Sequence, residues 1–342
     1  MSSSNSDNHS GHTLSEAQKS HFLEHGYIKV PSCFTRDQAS SFTSDLWTRL
    51  GMSPTDKSTW TTERTNMPWH KHVSVKEFSP RAWSAICQLL APESGSEEEG
   101  DVRITNGGNG VYRSWSDGFI VNVGRDGFDG REIEDMEEGE RLRGLGGWHV
   151  DGDFFVHYLD SPEQAILVIP LWSDIKPHGG GTAIACDSIK HIAKYLHQHP
   201  SGLTPWFKPT TDPTEIRTFF QDLAADTSRI RTKSIIEATG EIGDVYLIHP
   251  LMLHSASENL LRIPRVITNP PVMLKEPFNF DREDGKYSLV EKKTLRELGV
   301  KEGEGLKGWK IEGERMPWVS ARIKRQEAER QKEKERLGSD SA

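Results

Sequence analysis

The chain has 342 residues, enough for one large domain or two ordinary ones, and its 34% of hydrophobic residues is typical of a protein that buries a core. Its formal net charge of −9 argues against a protein that follows nucleic-acid phosphates, and no apolar run is long enough to span a membrane. The first residues show no secretory signal, and the three scattered cysteines, Cys33, Cys87 and Cys186, form no CxxC pair. We therefore expect a cytoplasmic protein in a reducing compartment, without nucleic-acid or membrane partners.

The first third of the chain has mostly helical patterns, marked by capping residues and by periodic apolar positions. In chain order we expect a disordered lead (1–12), a helix opened by a capping box at 13–16 and carrying Phe22 and Leu23, a stop at Gly26, a strand (27–30), a helix opened by a second capping box at 35–38 and carrying Phe42, Leu46 and Leu50, a helix (80–90) and an acidic loop (93–100).

The rest of the chain is dominated by short β patterns with Gly and Pro between them. In order we expect a strand (119–123), a charged, mobile surface loop (124–147), β-rich segments (148–159 and 164–172), a glycine turn entering a strand (179–185), helices (189–197 and 215–225), strands (234–238, 243–248, 254–257 and 266–274) and a charged tail (321–342) that is either a solvated helix or disordered. This pattern predicts a β-sandwich or open barrel with the N-terminal helices packed outside it. We expect one domain over residues 13–320 and a tail that catalysis does not need.

A histidine and an aspartate lie two positions apart in the segment Gly147-Trp148-His149-Val150-Asp151. In an extended strand His149 and Asp151 point to the same face, so both can reach one metal ion. With a later histidine they can supply three ligands to one face of Fe(II), which leaves positions open for a cosubstrate and O2. The alternative is a hydrogen-bonded His–Asp pair inside the core.

The third ligand has two candidates in one segment, His249 and His254. Pro250 has no N–H and marks a break, so His249 ends one predicted strand and His254 begins the next. Either histidine is also explained as a hydrogen-bonded polar group in the core. The residues alone leave this choice open.

Two further residues suit the binding of a dicarboxylate. Arg265 begins the apolar run Val266-Ile267-Thr268, and a buried arginine in a strand needs an anion, which it can hold by a bidentate pair. Arg262 is the competing arginine, and we interpret it as a turn residue. Thr182 follows three glycines that permit a close approach, so its hydroxyl can add a hydrogen bond, although a turn-capping threonine is an equal alternative.

The order of these residues resembles the phytanoyl-CoA dioxygenase-like family of Fe(II)/2-oxoglutarate-dependent oxygenases. The resemblance rests on His149-x-Asp151, the glycine-preceded Thr182, His254, and Arg265 eleven residues later. The opening Phe22-Leu23-Glu24-His25-Gly26-Tyr27-Ile28-Lys29-Val30-Pro31 is also similar, and the likeness runs from about residue 15 to about residue 275.

The resemblance implies a double-stranded β-helix (jelly-roll, cupin-like) core and selects His254 over His249 as the third ligand. It implies that Arg265 holds the far carboxylate of 2-oxoglutarate with help from Thr182. It also implies that Asn122 and Trp172 lie near the cosubstrate. Halogenating relatives replace the carboxylate ligand with a small residue, so the carboxylate present here implies that halogenation is not the reaction.

The chain also departs from the family pattern. The glycine run at 179–181 lacks the usual Asn-Gly form, Cys186-Asp187-Ser188 replaces a Pro-Gly-Ser-His turn, and the acidic stretch at 129–140 is unlike the family. These departures affect structural turns and leave the metal ligands intact. No acyl-CoA-binding feature is recognisable, so the family name does not indicate the substrate.

Our hypothesis is a mainly β protein that acts as an Fe(II)/2-oxoglutarate-dependent dioxygenase. It would oxidise, by default hydroxylate, a small organic molecule while O2 is consumed and 2-oxoglutarate is converted to succinate. The alternatives are a zinc-dependent hydrolase that uses the same His/Asp/His site, and a non-catalytic β-barrel ligand-binding protein. Two further groups are candidates for roles near the site, with ordinary packing as the alternative for each. The candidates for the substrate pocket are Asp153, Phe155 and His157, and the candidates for a lid are Arg64, Met67, Trp69 and His70.

Overall fold

The computed structural model describes residues 13–92, 95–107, 111–127, 137–210, 218–318 and 320–339, so the expected disordered lead at 1–12 lies outside the described residues. The described chain forms β-sheets with flanking helices. The helices are α1 Glu16–His25, α2 Arg36–Phe42, α3 Leu46–Leu50, α4 Val75–Phe78, α5 Pro80–Leu90, α6 Glu97–Arg103, α7 Glu138–Arg143, α8 Ser188–His197, α9 Phe219–Ala225, α10 Leu289–Glu297 and α11 Ala321–Ser339. The strands are β1 Tyr27–Val30, β2 Arg64–Asn66, β3 His72–Ser74, β4 Ser114–Ser116, β5 Ile120–Asn122, β6 Ile166–Pro170, β7 Thr182–Ala185, β8 Ile235–Ala238, β9 Val245–Ile248, β10 Leu253–Ala256, β11 Arg265–Ile267 and β12 Pro271–Val272.

The strands pair antiparallel in four sheets. Their orders are β1-β9-β6-β12, β10-β7-β8, β11-β5-β2 and β3-β4. The first sheet carries the most apolar strands, since every residue of β6 and β9 is buried. The second and third sheets carry the residues of interest, because β10 holds His254, β7 begins at Thr182 and β11 begins at Arg265.

Several sequence expectations agree with these elements. The strand at 27–30 and the helix at 80–90 have the expected bounds, and the second capping box is formed by Thr35 and Gln38. The three cysteines are free thiols. None of the helices in the described part of the chain combines the length and the apolarity that crossing a membrane requires.

The N-terminal helices differ from expectation in two places. The first capping box is formed by Ser15 and Gln18, two residues later than expected. Leu14 is buried and its N–H donates to Gln88 Oε1, so helix α1 begins only after it. The expected helix over 36–50 is divided into α2 and α3, because Thr43 turns its hydroxyl back to the carbonyl of Ala39 where α2 ends.

Two segments expected to be loops contain helices. Within the acidic stretch at 93–100, Ser96 caps helix α6 by accepting from Glu99 N at 3.2 Å. The glutamates of the first turn stabilise this helix further, because their negative charges lie at the positive end of the helix dipole. Within 124–147, residues 128–136 lie outside the described residues, but α7 follows them. It is anchored by Arg143, which donates to the carbonyls of Ala224 and Ile230, so this part is a packed helix.

The segment 148–159 was expected to be rich in β-strand, and it is not. This described stretch forms only two isolated bridges, His149↔His254 and His157↔Leu203. Gly152 adopts φ +130°, which interrupts the extended backbone immediately after Asp151. The relation between His149 and Asp151 therefore depends on a turn and a bridge and not on a regular strand.

The charged C-terminal tail forms helix α11, and one of its faces contacts the N-terminal helical layer. Glu333 lies 2.9 Å from Arg49 Nε and 3.2 Å from His70 Nε2. Arg330 lies over the Trp69 ring, 4.5 Å from its centroid. The loop that contains Trp69 and His70 is thus packed beneath α11.

Candidate metal centre

His149, Asp151 and His254 form a single cluster at the junction of the 148–159 segment and β10. Their ligand atoms all lie within 4.8 Å of one another. Two backbone hydrogen bonds, of 3.0 and 2.9 Å, join His149 to His254 and bring the two imidazoles together. Asp151 Oδ1 lies 3.5 Å from Nε2 of each histidine, so three donor atoms face a common point.

The hydrogen bonds of the two imidazoles leave their Nε2 atoms available to a metal ion. His149 Nδ1 lies 2.8 Å from the carbonyl of Gly147, and His254 Nδ1 lies 3.0 Å from that of Met252. A carbonyl can only accept, so each Nδ1 carries the proton and each Nε2 keeps its lone pair in the neutral ring. This backbone orientation is typical of histidines that ligate metals. The two nitrogens and one carboxylate oxygen fit a divalent iron or zinc ion.

The charges in the cluster favour a bound cation. Burial raises the pKa of Asp151, but the charge of His254 and hydrogen bonds from both histidines bring it well below its usual value. Burial lowers the pKa of His149, and the hydrogen bond and charge of Asp151 more than offset this, so the net shift is upward. Asp151 is therefore a carboxylate at neutral pH, and a metal ion would replace the imidazole proton that it now attracts.

Among the described residues, the cluster is most exposed at His149. The side chain of His149 is 47% exposed, whereas those of Asp151 and His254 are 17% and 7% exposed. A small molecule would therefore approach from the side of His149. Asn269 Nδ2 lies 3.3 Å from Asp151 Oδ2 and holds the carboxylate oxygen that faces away from the histidines.

His249, the other candidate for the third ligand, lies apart from this cluster. It is fully buried beneath α10, where Nε2 faces Thr294 Oγ1 at 3.0 Å and Nδ1 accepts from Leu251 N at 3.2 Å. Burial, and then the charge of Lys293, lower the pKa of His249 to about 3. His249 is thus a neutral, hydrogen-bonded core residue, and the histidine that joins His149 and Asp151 is His254.

Arg265 is a buried cation whose hydrogen bonds go to backbone carbonyls. The residue is 1% exposed, and its guanidinium donates to the carbonyls of Gly180 at 2.7 Å and Ile120 at 3.1 Å. It forms no ion pair with any residue in the described part of the chain. Burial, and then the nearby charge of Arg64, lower its pKa to about 10, so the group remains a cation at neutral pH.

Thr182 begins β7, which pairs with the strand that carries His254. On β7 and β10 the register pairs are Ile184↔His254 and Thr182↔Ala256, so the side chains of Thr182 and His254 project to the same face. The Thr182 hydroxyl makes no hydrogen bond to a described residue. A cosubstrate contact for Thr182 stays a prediction.

Asn122 and Trp172 have protein partners that explain their burial. Asn122 Nδ2 donates to Ser257 O, and its Oδ1 accepts from Gly124 N. Trp172 Nε1 donates to Thr268 Oγ1, and the ring packs in an aromatic cluster with Phe34, Phe42, Phe78, Trp115 and Phe119. No ring in that cluster belongs to the metal centre. A cosubstrate contact for either residue stays a prediction.

The remaining candidates take structural positions. Arg262 has φ +49° and pairs with Asp126 at 2.9 Å, as expected of a turn residue. His157 is buried, its Nε2 lies 2.9 Å from the carbonyl of Gly152, and burial lowers its pKa to about 4. Asp153 Oδ2 accepts from Ser320 Oγ at 3.3 Å, and the Phe155 ring lies tilted against the ring of His157 with centroids 4.5 Å apart, so these residues support the turn beside Asp151.

Asn269 and Glu237 are two residues near the site that the sequence did not single out. Asn269 follows a short strand and has no motif around it. Glu237 lies within the expected strand at 234–238, where a lone buried acid was the available signal, since a buried charge requires partners.

No protein-family model matches the chain, and no curated protein is significantly similar to it. Among solved structures, the non-heme alpha-ketoglutarate-dependent carbocyclase SnoK from nogalamycin biosynthesis is 16% identical, covering 90% of this chain and 96% of that one, with a TM-score of 0.40. HygX from Streptomyces hygroscopicus with nickel, 2-oxoglutarate and hygromycin B bound is 12% identical, with coverages of 79% and 90% and a TM-score of 0.38. EctD from S. alaskensis with 2-oxoglutarate and 5-hydroxyectoine is 16% identical, with coverages of 76% and 75% and a TM-score of 0.32. Likeness at this level assigns neither the fold family nor the function of this chain.

Proposed function

We propose that the protein is an Fe(II)- and 2-oxoglutarate-dependent oxygenase that oxidises a small organic molecule. His149, Asp151 and His254 would hold the iron, and Arg265 with Thr182 would bind the far carboxylate of 2-oxoglutarate. The proposal includes a double-stranded β-helix core within a single domain over residues 13–320 and a relation to the phytanoyl-CoA dioxygenase-like family.

The observation that carries the proposal is a buried guanidinium that forms no ion pair with a carboxylate of the described residues and that begins the strand following the one that carries His254. A buried charge is costly unless an opposite charge compensates it. Arg265 has only carbonyls as hydrogen-bond partners among the described residues, and the charge of Glu237 acts on it without an ion pair, so a dicarboxylate ligand would supply a direct ionic partner. A zinc hydrolase would need His149, Asp151 and His254, whereas metal-assisted hydrolysis does not itself require this cation.

The two parts lie at the two ends of one short stretch of chain. Ile184 pairs with His254, and Gly180, which accepts from Arg265, lies four residues before it. Four residues span at most ~14 Å even when fully extended. The guanidinium already lies at Gly180, so a five-carbon dicarboxylate held by both parts would run along this stretch, which includes Thr182.

The residues of the chain would position the reactants and limit the access of water. The carbonyls of Gly147 and Met252 fix the two imidazoles, and Asn269 fixes the carboxylate of Asp151. Arg265 and Thr182 would orient the cosubstrate. Bound iron, with 2-oxoglutarate and O2, would supply the oxidation of a substrate C–H bond coupled to decarboxylation of the cosubstrate to succinate. Hydroxylation is the default outcome, and desaturation, ring closure or epoxidation would use the same site.

The test is anaerobic addition of Fe(II) and then 2-oxoglutarate to the purified protein. We expect a weak visible charge-transfer band that appears only with both components and that saturates with 2-oxoglutarate. His254→Ala should give no band, and His249→Ala should retain it. A protein that binds zinc tightly and gives no band with iron and 2-oxoglutarate would overturn the proposal in favour of a hydrolase. Absence of any metal binding would favour a non-catalytic ligand-binding protein.

A further inference from the structure

Glu237 is a buried carboxylate with several partners, close to the proposed cosubstrate site. It lies on β8, its side chain is fully buried, and it pairs with Ala183 on β7. Oε1 accepts from Gly181 N at 2.8 Å, and Oε2 accepts from His178 N at 2.8 Å and from Arg141 Nη2 at 3.2 Å. These contacts compensate for the burial of its charge. They also join Glu237 to the glycine loop that precedes Thr182.

A single peptide group connects Glu237 to Arg265. The N–H of Gly181 donates to Glu237, and the carbonyl of Gly180, which belongs to the same peptide bond, accepts from Arg265 Nε at 2.7 Å. In a trans peptide the N–H and the C=O point in opposite directions. The peptide dipole therefore has the carboxylate at its positive end and the guanidinium at its negative end, so both charges favour the same orientation of the peptide.

The glycines of the loop are required for this close approach. Gly180 has φ +82°, which a side chain would strain, and a Cβ there would lie 2.9 Å from Asn122 Nδ2. A Cβ at Gly181 would lie 2.5 Å from Ala238 O and 2.9 Å from Glu237 Cγ. The glycine run thus lets one peptide fit tightly between the strand of Glu237 and the guanidinium of Arg265.

The same carboxylate also reaches the segment that follows His254. The hydroxyl of Ser257 lies 2.6 Å from Gly181 O and 3.1 Å from Glu237 Oε1, and Ser257 N donates to Gly181 O at 3.3 Å. Glu237 thereby ties the glycine loop to the connection between β10 and β11, which carries the chain from His254 to Arg265.

We infer that Glu237 is a positioning residue that, through the Gly180–Gly181 peptide, holds Arg265 in the orientation that binds the distal carboxylate of 2-oxoglutarate. This inference rests on the proposed function. Glu237 does not touch the ligand. It acts as a counter-charge one peptide removed from Arg265, which leaves the outer edge of the guanidinium to an anion.

The test compares two ligands in wild type and Glu237→Gln. The ligands are 2-oxoglutarate and 2-oxopentanoate, which keeps the 2-oxo acid and the chain length but lacks the distal carboxylate. Binding of each to the anaerobic Fe(II)-loaded protein is measured by calorimetry. We expect Glu237→Gln to weaken 2-oxoglutarate on the order of tenfold, as for residues coupled through a shared network, and to leave 2-oxopentanoate unchanged. Glu237→Asp, which keeps the charge but shortens its reach, should show the same selectivity if the glutamine variant does not fold.

Two controls separate positioning from a general structural role. Arg141→Lys keeps a cation beside Glu237 and does not touch the peptide, so it should leave both affinities near the wild-type values. In an Arg265→Ala background, Glu237→Gln should cause no further loss of 2-oxoglutarate affinity. Equal weakening of both ligands by Glu237→Gln, or no weakening of either, would overturn the inference while leaving the proposed function intact. Wild-type protein that binds neither ligand would overturn the proposed function and this inference with it.

Discussion

Replacing Arg265 by alanine should separate binding of the cosubstrate from binding of the metal. The guanidinium would contribute a charge-assisted, bidentate contact to a carboxylate in a partly dry pocket. Such a contact is worth ~3 kcal/mol, so its loss should weaken 2-oxoglutarate on the order of a hundredfold. None of the three proposed ligands bonds to Arg265, so Fe(II) should still bind.

The same change should also reduce stability by a predictable amount. Arg265→Ala removes the donor to the buried carbonyl of Gly180 and to the half-buried carbonyl of Ile120. An unsatisfied buried acceptor costs about 1–3 kcal/mol, so we expect a loss of about 1–3 kcal/mol in the free energy of unfolding from the Gly180 carbonyl. The binding measurement must therefore be made at a temperature where denaturation curves show the variant to be folded.

Arg262→Ala is the matched control, because Arg262 is also a buried arginine, 5% exposed, on the same connection. Its described charge partner is Asp126, outside the proposed cosubstrate site. Titration of 2-oxoglutarate into the Fe(II)-loaded variants, followed by calorimetry, should show a loss for Arg265→Ala only. Unchanged affinity in folded Arg265→Ala, together with a loss in Arg262→Ala, would refute the assignment. No effect in either would mean that the cosubstrate is not 2-oxoglutarate.

Three further predictions concern the metal, pH and the tail. His149→Ala, Asp151→Ala and His254→Ala should each abolish stoichiometric iron in metal analysis, whereas His249→Ala should retain it; the reverse pattern for the last two would disprove the ligand set. Burial lowers the pKa of His249 to about 3, so only the unfolded state takes up this proton as the pH falls below about 6.5. Between about pH 6.5 and pH 3 this residue should therefore reduce the free energy of unfolding by ~1.4 kcal/mol per pH unit, and above about pH 6.5 it should have no effect. Urea denaturation against pH should show a shallower slope in His249→Ala, and an equal slope would contradict the buried neutral imidazole. Truncation before Ala321 should leave 2-oxoglutarate turnover intact. It should lower the free energy of unfolding by about 1–2 kcal/mol, because the buried Arg49 loses the carboxylate of Glu333. Loss of turnover in the folded truncated protein would show that the tail helps to form the site.

Local sequence patterns determined the elements whose stabilising interactions are themselves local. Residues 27–30 and 80–90 have the expected bounds, because alternation, apolar periodicity and a proline at the first helical position act within a few residues. The same reasoning fails where a distant contact intervenes. Helix α1 begins two residues late because Leu14 is held by Gln88, far along the chain.

The candidate site was likewise predicted in part from the sequence and decided in part by the tertiary structure. The sequence identified His149, Asp151 and Arg265 by chemical type and spacing, but the residues alone left His249 and His254 equally suitable, and only a family resemblance chose between them. The structure distinguishes the two through packing. A bridge between His149 and His254 brings their rings together, while helix α10, which the sequence analysis did not anticipate, covers His249.

Glu237 and Asn269 show what only the tertiary structure decided. Nothing within a few residues of either one indicates a partner, because those partners, Gly181 and Asp151, come from other parts of the chain. A sequence records which side chains can carry a charge or donate a hydrogen bond. Which charges are buried together depends on the pairing of strands distant in the chain, and hence on the free energy of the whole fold.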